Sequence, residues 1–319
     1  MTRYVVRRVA LSVLTLLLLA TIVFLIVFVF APGDVGRQVL GPFASQETVD
    51  ALNEQLGTND PLLTQYLRLL KNVITFDWGE SFQYQVPVTD LLWPALGRSA
   101  KLAGLALVMT IPLAIAAGTY AARKRNTIAD RSIVTVGLAS LSIPDFVSGV
   151  ILQYLLGVKL GWFPVLALAP RGSGVLTQLD YLMLPALALV IVYFGYIARM
   201  TRAGTIQALD ADYTRTAVMK GLSRRQVSHG HVMRNALQPT VSVIGVQVGY
   251  IFSSLIALEL IFNYPGLGTL IRQAAGAKDY PVLLAAVMLV GIIYMVCTLL
   301  ADLIIAWMNP RARLEAGRT

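Results

Sequence analysis

The sequence predicts an all-α membrane protein with six transmembrane helices, on two observations. Of the 319 residues, 56% are hydrophobic and only 13% are charged, whereas soluble domains carry about 25% charged residues. Six segments are apolar over the roughly 20 residues that a helix needs to cross the hydrocarbon core. They cover residues 9–30, 100–122, 133–158, 182–198, 241–262 and 282–308. Each is expected to be helical, because backbone groups in lipid must find hydrogen-bond partners within their own segment.

The first apolar segment follows Arg3, Arg7 and Arg8 and is interpreted as a signal anchor over residues 1–31. A cleaved signal peptide is the alternative. Its apolar region would cover only about 7–15 residues and end at a small-x-small cleavage site. The run at 9–30 is longer and no such site follows it, which favours an anchor that is retained.

The distribution of charge predicts the orientation in the membrane. With six spans both termini share one side, and the segments on that side hold 17 of the 26 Lys and Arg residues and 4 of the 17 acids. The segments on the opposite side hold 8 basic residues and 10 acids. The positive-inside rule places both termini in the cytoplasm, as in a multi-pass protein of a bacterial-type inner membrane. The net charge of +9 is thus explained by topology, and no aromatic-basic motif indicates a nucleic-acid partner.

The external segment, residues 32–94, is too long for a plain connection and is predicted to contain helices of its own. Ser45 can cap a helix that stops at Gly57, although Thr48 stands where a capping box has an acid or amide. Asp60 as a cap and Pro61 at the first helical position predict a second helix.

The second external helix has an apolar face, because Leu63, Tyr66, Leu67 and Leu70 recur at helical spacing. We expect it to pack on the spans or to lie in the membrane interface. The stretch "DWGESFQYQVPV" that follows has the composition of a loop. A lid or scaffold is the plainer interpretation of the whole segment, and contact with an external partner is the alternative.

Three acids, Asp145, Glu259 and Asp302, lie within the predicted spans. An intramembrane charge costs about 2.5–3.5 kcal/mol on insertion scales and therefore indicates a functional site by default. Asp145, directly after Pro144, is the deepest, while Glu259 lies near the external end and Asp302 near the cytoplasmic end of a span. Each is a candidate to line a pathway, with structural pairing as the alternative.

The cytoplasmic loop, residues 199–238, contains a polar stretch with helical patterning, "DYTRTAVMKGLSRRQVSHGHVMRNALQP" at 212–239. Asp212 is predicted to cap a short helix over 213–220 that Gly221 ends. Ser223 and Gln226 form a capping box for a second helix running to about residue 237.

Tyr213, Ala217 and the Gly221 corner are predicted to offer a surface of small residues for close approach by a partner. A solvated loop that only sets topology is the alternative. Such a loop needs neither two capped helices nor apolar residues in helical register, which favours a protruding contact element.

Small residues recur every four positions in the fifth predicted span, at Gly245, Gly249, Ser253 and Ala257. This spacing places them along one helix face, and such faces are where transmembrane helices approach closely. We expect much of this stripe to meet a second membrane-spanning chain, with packing inside the chain as the alternative.

Enzyme signatures are absent from the sequence. There is no phosphate-binding G-x-x-x-x-G-K-[ST] loop, no zinc-binding H-E-x-x-H helix and no nucleophile elbow. His229 and His231 are two residues apart and would face different directions on a helix, and Cys297 lies alone within the sixth span. If this protein uses ATP, another chain must hydrolyse it.

The stretches "DYTRTAVMKGLS" and "RNALQP" resemble the cytoplasmic loop of permease subunits of binding-protein-dependent ABC importers, in the dipeptide/oligopeptide/nickel subfamily. The general loop pattern, Glu-Ala-Ala, three residues, Gly, is kept only at Ala217 and Gly221. Further matches follow in order, "TRYVVRR", "DPLLTQYLRLL", "WGES", "SIPDF", "GWFP", "LPALAL", "FNYPGLG" and "NPR". The resemblance therefore covers nearly the whole chain, although Asn309 stands where the family commonly has Asp.

The resemblance implies a type I importer permease core over residues 95–306, followed by a cytoplasmic tail at 307–319. It implies partners as well: a second homologous permease, two ATPase subunits that hold ATP and Mg, and an external solute-binding protein. The residues implied to couple to the ATPase are Asp212, Tyr213, Arg215, Thr216, Ala217, Lys220, Gly221, Leu222 and Ser223. Peptides are the substrate that the resemblance indicates, with nickel chelates, glutathione and some sugars as alternatives.

Two other classes of protein are alternatives to the permease. A proton-coupled secondary transporter could use the three intramembrane acids as a relay, but its typical inverted repeats are not evident in the sequence. An intramembrane enzyme needs a nucleophile–base or metal constellation, which the sequence also lacks.

Overall fold

A computed structural model of the protein describes residues 2–26, 35–57, 59–170, 172–223 and 226–308. Over these ranges the chain is helical apart from loops and one isolated β-bridge, between Glu80 and Pro87. The helices are α1 Thr2–Phe24, α2 Val35–Leu40, α3 Gln46–Leu56, α4 Leu62–Thr75, α5 Val88–Arg123, α6 Ile128–Leu141, α7 Asp145–Leu152, α8 Val175–Asp210, α9 Asp212–Met219, α10 Arg234–Ala236, α11 Gln238–Ile261, α12 Leu267–Ala277 and α13 Tyr280–Met308. One π-helical segment, Gln153–Lys159, directly follows α7. A second, Val227–Met233, directly precedes α10.

Five helical stretches in the described part of the chain are long and apolar enough to cross a membrane, or six if the bent pair α6–α7 is one span. This confirms the predicted all-α membrane fold. The helices extend beyond the apolar segments, since α5 begins at Val88 and α8 covers 175–210. The end of the first predicted span, 27–30, and most of the predicted tail, from 309 on, lie outside the described residues.

The third predicted span, residues 133–158, is helical but not one continuous helix. Helices α6 and α7 meet at an angle of 103°. Pro144 forms the N-cap of α7 with ψ 142°, an extended conformation. Proline disfavours the α-helical conformation in the residue before it and cannot donate a backbone hydrogen bond. The break at Pro144 therefore has a local cause.

The chain forms two compact units, one built mainly from residues 99–264 and one from residues 9–98 and 265–293. In the first unit α8 is the central helix and packs against α6, α7, α10 and α11. Close approach of α6 and α8 depends on a pair of glycines, because a Cβ added at Gly195 would lie 2.0 Å from the carbonyl oxygen of Gly137.

In the second unit, α4 packs against α1 and α13 through Phe24, Leu69, Tyr280 and Leu284. Asp279, which is 1% exposed, accepts hydrogen bonds from the Ser81 hydroxyl and from the backbone N–H groups of Phe82 and Gln83. The loop predicted at 77–88 is therefore fastened to the start of α13.

The predicted ends of α3 are confirmed, whereas the predicted start of α4, with Asp60 as the cap and Pro61 as the first helical residue, is wrong by one residue. Ser45 caps α3 by accepting from the Thr48 N–H, and Gly57 ends that helix with φ 66°. Asp60 does not cap α4. The N-cap is Pro61, in an extended conformation with ψ 141°, so Asp60 lies one residue too early and pairs with Arg68 instead.

Candidate coupling hairpin and intramembrane acids

The polar stretch predicted at 212–239 folds as a helical hairpin over the described residues of 212–236, here called the coupling hairpin after the role that the resemblance implies. Only Ala211, which is extended, separates α9 from the long helix α8. The predicted cap at Asp212 is wrong, because Asp212 is already the first residue of α9 and no side chain caps that end. Its carboxylate instead lies in the first turn, where it interacts favourably with the helix dipole.

The turn of the hairpin has the hydrogen bonds of a Schellman motif. The N–H of Leu222 bonds to the carbonyl of Ala217, and the N–H of Gly221 bonds to that of Val218. This geometry needs a left-handed residue after the helix, and Gly221 supplies it with φ 78°. The helix therefore ends at the predicted glycine.

The second arm of the hairpin begins with the predicted capping box. The Ser223 N–H donates to Gln226 Oε1 at 2.9 Å, and the Gln226 N–H donates to Ser223 Oγ at 3.4 Å. The arm continues as the π-helical segment and α10, and only Leu237 separates it from the fifth span, α11. Both arms of the hairpin are thus nearly continuous with membrane spans.

The inner side of the hairpin is a core of small residues. Ala208 at the end of α8 packs with Ala217, Val227, Val232 and Ala236. The predicted contact surface is therefore wrong at Ala217, which is 4% exposed. A methyl side chain is required there because the two arms and α8 converge on it.

The outer side of α9 carries the exposed residues of the hairpin. Tyr213 is 41% exposed, Val218 58% and Met219 80%, and Arg215, Thr216 and Lys220 are exposed between them. The sequence analysis did not identify Val218 and Met219 as exposed contact residues. For Met219 the spacing gave a signal: it follows Arg215 by four residues, which places an apolar side chain on a polar helix face.

The base of the hairpin is fixed by two ion pairs that sequence reasoning also missed. Arg202 of α8 binds Asp130 of α6 through two hydrogen bonds, Nε to Oδ1 and Nη2 to Oδ2. Asp130 is 2% exposed and also accepts from the Asn126 N–H at 2.9 Å. Arg125 pairs with Asp210 at 3.2 Å. These contacts join the loop between α5 and α6 to the helix that enters the hairpin.

The three intramembrane acids have different surroundings. Glu259 is fully buried and accepts a hydrogen bond from the Ser99 hydroxyl. Asp302 pairs with Arg8. Both contacts are of the kind expected for structural pairing, the alternative to lining a pathway.

Asp145 differs from the other two acids because its hydrogen bond is local. It is half-buried at the first position of α7, and its Oδ1 accepts from the N–H of Phe146 at 2.9 Å. A carboxylate at a helix N-terminus is favoured by the helix dipole. Of the three acids, Asp145 therefore keeps the strongest case for contact with a solvated cavity.

The stripe of small residues on α11 is partly occupied by the same chain. A Cβ added at Gly249 would lie 1.8 Å from Tyr294 Cδ2, and one added at Gly245 would lie 2.4 Å from the Ala301 Cβ. These glycines thus serve close packing of α11 against α13, the alternative reading of the stripe, and not an open surface. Ser253 is exposed, and a subunit interface there stays a prediction.

Among the residues that the structure describes, no group of three His, Cys, Asp or Glu side chains is placed to hold a metal ion. The side chains of His229 and His231 lie outside the described part. The candidate functional features of the described chain are therefore the coupling hairpin and the polar groups within the apolar helices.

Comparison with known proteins agrees with these features. Residues 114–314 match the family described as the binding-protein-dependent transport system inner membrane component, and residues 1–110 match the N-terminal region of such a membrane component. The family assigns the chain the role of a permease subunit, which is not itself an enzyme; nothing in these matches supports proton-coupled transport.

Three relatives cover nearly the full length of the chain. A putative peptide transport system permease of Brucella abortus is 37% identical over 99% of this chain and 100% of its own. A probable peptide ABC transporter permease of Sinorhizobium fredii is 31% identical over 97% and 99%. The glutathione transport system permease protein GsiC of Escherichia coli K12 is 32% identical over 99% and 100%. On this evidence the chain belongs to the inner membrane permease components of binding-protein-dependent transport systems.

Proposed function

We propose that this permease forms half of the translocation pathway of an ATP-driven importer of short peptides and that the coupling hairpin seats on an ATPase subunit. One observation carries the proposal: Tyr213, Val218 and Met219 are exposed on a hairpin whose opposite side is packed against its own chain. Exposed apolar side chains on a short helix that packs against its own chain along the other side suit a groove on a partner protein.

The packing of the hairpin supports a role in transmitting force. Residues 212–236 follow α8 after one residue and precede α11 after one residue, and Gly204 of α8 lies so close to α10 that an added Cβ would be 2.3 Å from the Ala236 carbonyl oxygen. A push on the hairpin would therefore move two spans as rigid bodies, the kind of motion by which packed helices shift between two states.

The partners follow from the family and from the charge distribution. A second homologous permease would complete the pathway, two ATPase subunits would bind ATP and Mg, and an external binding protein would deliver the substrate. The hairpin is then cytoplasmic and both termini are on the same side, as the excess of Lys and Arg predicts. Short peptides are the proposed substrates, since relatives are named for peptides and for glutathione, which share amide backbones.

The ATPase contact is tested with Met219→Asp in the complex, co-expressed with its partner subunits and reconstituted in proteoliposomes. We expect hydrolysis stimulated by loaded binding protein to fall by about tenfold or more, because a charge would be buried in the contact. Leu176→Asp is the matched control, since Leu176 is 79% exposed on the side proposed to be external. Full stimulation with Met219→Asp would refute the proposed docking site.

The pathway is tested with Asp145→Asn. If this carboxylate is solvated by the cavity, we expect altered transport kinetics with little change in melting temperature. Glu259→Gln is the comparison variant, because Glu259 is fully buried. A large loss of stability with Asp145→Asn and unchanged transport per folded complex would show a structural pair instead.

A further inference from the structure

We propose that α4 is an interfacial helix whose exposed stripe, defined as Leu63, Leu67 and Ile74, inserts into the outer leaflet of the lipid bilayer. The three side chains are 68%, 55% and 78% exposed. The side of the membrane rests on the orientation proposed above, whereas the contact with lipid does not.

The surface of α4 divides into three sectors. Successive helical residues are about 100° apart, which places Tyr66, Leu69 and Val73 on one sector and the exposed stripe on the next. The polar residues Thr64, Arg68 and Thr75 share the remaining sector. Two apolar sectors about 110° apart and a polar one opposite suit a helix that lies in the membrane plane beside a protein: one sector faces the protein, one faces lipid and one faces water.

The first sector packs against two membrane spans. Tyr66, Leu69 and Val73 belong to the cluster that contains Phe24 and Tyr280. The Tyr66 ring meets that of Phe24 edge-on with centroids 5.4 Å apart. This sector fixes how α4 is rotated about its axis, and so fixes the direction of the exposed stripe.

The level of these contacts places α4 at the boundary of the hydrocarbon. Gly291 follows the start of the last apolar segment, residue 282, by nine residues, so it lies about 13 Å below the external edge at 1.5 Å per residue. Leu19 contacts it, since a Cβ added at Gly291 would lie 2.4 Å from Leu19 Cδ2. Thr21 is then about 10 Å below the edge.

The Tyr66 hydroxyl reaches Thr21 Oγ1 at 2.8 Å. Because a tyrosine side chain extends about 6 Å, the backbone of α4 lies within about 6 Å of the level of Thr21. A helix at this level is compatible with the roughly 5–10 Å to which interfacial helices bury their apolar face.

The lipid-facing surface of α1 supports the choice of lipid as the occupant. Leu18 and Ile22 of α1 are 55% and 53% exposed, and α1 is among the helices that can span the membrane. The helix that carries the exposed stripe therefore packs against a span that has an exposed apolar surface of its own. On the polar sector Arg68 pairs with Asp60, as expected for a water-facing side.

The test uses spin labels on single cysteines in the assembled complex in lipid nanodiscs, with Cys297→Ala as the background. Leu63→Cys, Leu67→Cys and Ile74→Cys report on the exposed stripe, and Thr64→Cys and Thr75→Cys on the same helix are the matched controls. We expect the ratio of oxygen to nickel-chelate accessibility to be about fivefold or more higher in the stripe than in the controls.

Three outcomes would overturn the proposal. Equal accessibility of stripe and controls to the nickel chelate would show a water-facing helix. Low accessibility of the stripe to both reagents would show that another permease covers it. A loss of oxygen accessibility only after addition of the binding protein would show a docking site for that protein.

The side of the membrane is tested separately by labelling Thr64→Cys with a membrane-impermeant maleimide. Reaction in intact spheroplasts confirms the external side. Reaction only in inverted vesicles would refute the proposed orientation while leaving the lipid contact intact.

Discussion

The coupling hairpin and the external segment are both polar insertions between apolar spans, but they are held in place by different means. The hairpin is stabilised by neighbours in sequence, with a core drawn from residues 208–236. The external segment is stabilised by distant partners, since the hydrogen bond from Ser81 to Asp279 joins residues 198 positions apart. A locally stabilised element can move as a unit with the two spans attached to it, whereas a segment bonded to several spans resists displacement.

The two regions also differ in what they leave exposed. The hairpin exposes Tyr213, Val218 and Met219 next to charged residues, a pattern typical of contact with a protein groove. The external helix α4 leaves the exposed stripe of Leu63, Leu67 and Ile74 uncovered beside a membrane span. We attribute this exposure to contact with lipid. Three substitutions test the contrast between local and distant support.

The largest effect is expected at the hairpin turn, from Gly221→Glu. Gly221 has φ 78°, and a Cβ there would meet no atom within 4 Å, so the cost is backbone strain of about 1–2 kcal/mol and not a clash. Relief of that strain would redirect the tip that carries Met219. We expect stimulated ATP hydrolysis by the purified complex to be abolished while the complex still reaches the membrane.

Gly221→Asn is the control for this experiment, because asparagine tolerates the left-handed conformation. It should keep most of the stimulated activity. Equal loss with Asn and Glu would show that the turn needs the absence of a side chain for another reason. Normal stimulated ATP hydrolysis with Gly221→Glu would show that the turn has no part in coupling.

A smaller effect is expected in the external segment, from Asp279→Ala. The substitution removes the acceptor for one hydroxyl and two backbone N–H groups, and each buried donor left unsatisfied costs about 1–3 kcal/mol. We expect a lower melting temperature of the complex and faster proteolysis within residues 77–88, with the ratio of stimulated to basal ATP hydrolysis unchanged in the folded fraction.

Asp279→Asn keeps one acceptor oxygen and should lose about half as much stability as the alanine variant. A change in the stimulation ratio with either variant, at full stability, would contradict the contrast, since it would give the external segment a direct part in coupling.

Local signals explain how much of the fold was predictable from the sequence. Ser45 and Gly57 of α3, the capping box at Ser223 and the turn at Gly221 were predicted correctly because each depends on residues within a few positions. The predictions at Asp60 and Asp212 missed by one residue in opposite directions. Asp212 lies in the first turn, where the helix dipole favours an acid as it does at the cap, whereas Asp60 lies one residue before the cap.

Non-local contacts explain what the sequence could not show. The sequence predicts Ala217 to be exposed, but in the structure α8 and the second arm of the hairpin cover it. The spacing predicts Gly249 at a subunit interface, but Tyr294, forty-five residues later, packs against it within the same chain. The pairing of Arg202 with Asp130 likewise joins residues 72 positions apart. Periodicity identifies a face but not the element that covers it.

The smallest effect is expected from Thr214→Val on the inner side of the hairpin. Thr214 is 6% exposed, and its hydroxyl donates to the Ala208 carbonyl at 2.7 Å, which bonds α9 back to the end of α8. Valine has nearly the same shape, so the loss is confined to one buried hydrogen bond, about 1 kcal/mol. If local bonds are what keep the hairpin aligned with α8, this loss should reduce the stimulation of ATP hydrolysis several-fold and lower the melting temperature by only a few degrees.

Thr216→Val is the matched control on the same helix. Its hydroxyl donates to the Asp212 carbonyl at 2.9 Å, but the residue is exposed, and this bond lies within α9 and does not reach α8. Water can replace an exposed hydrogen bond at little cost, so Thr216→Val should leave the melting temperature unchanged. Equal effects of the two variants on stimulation would mean that α9 needs its own hydroxyls at the ATPase contact. A reduction with Thr214→Val alone would mean that the hairpin transmits force through its bond to α8.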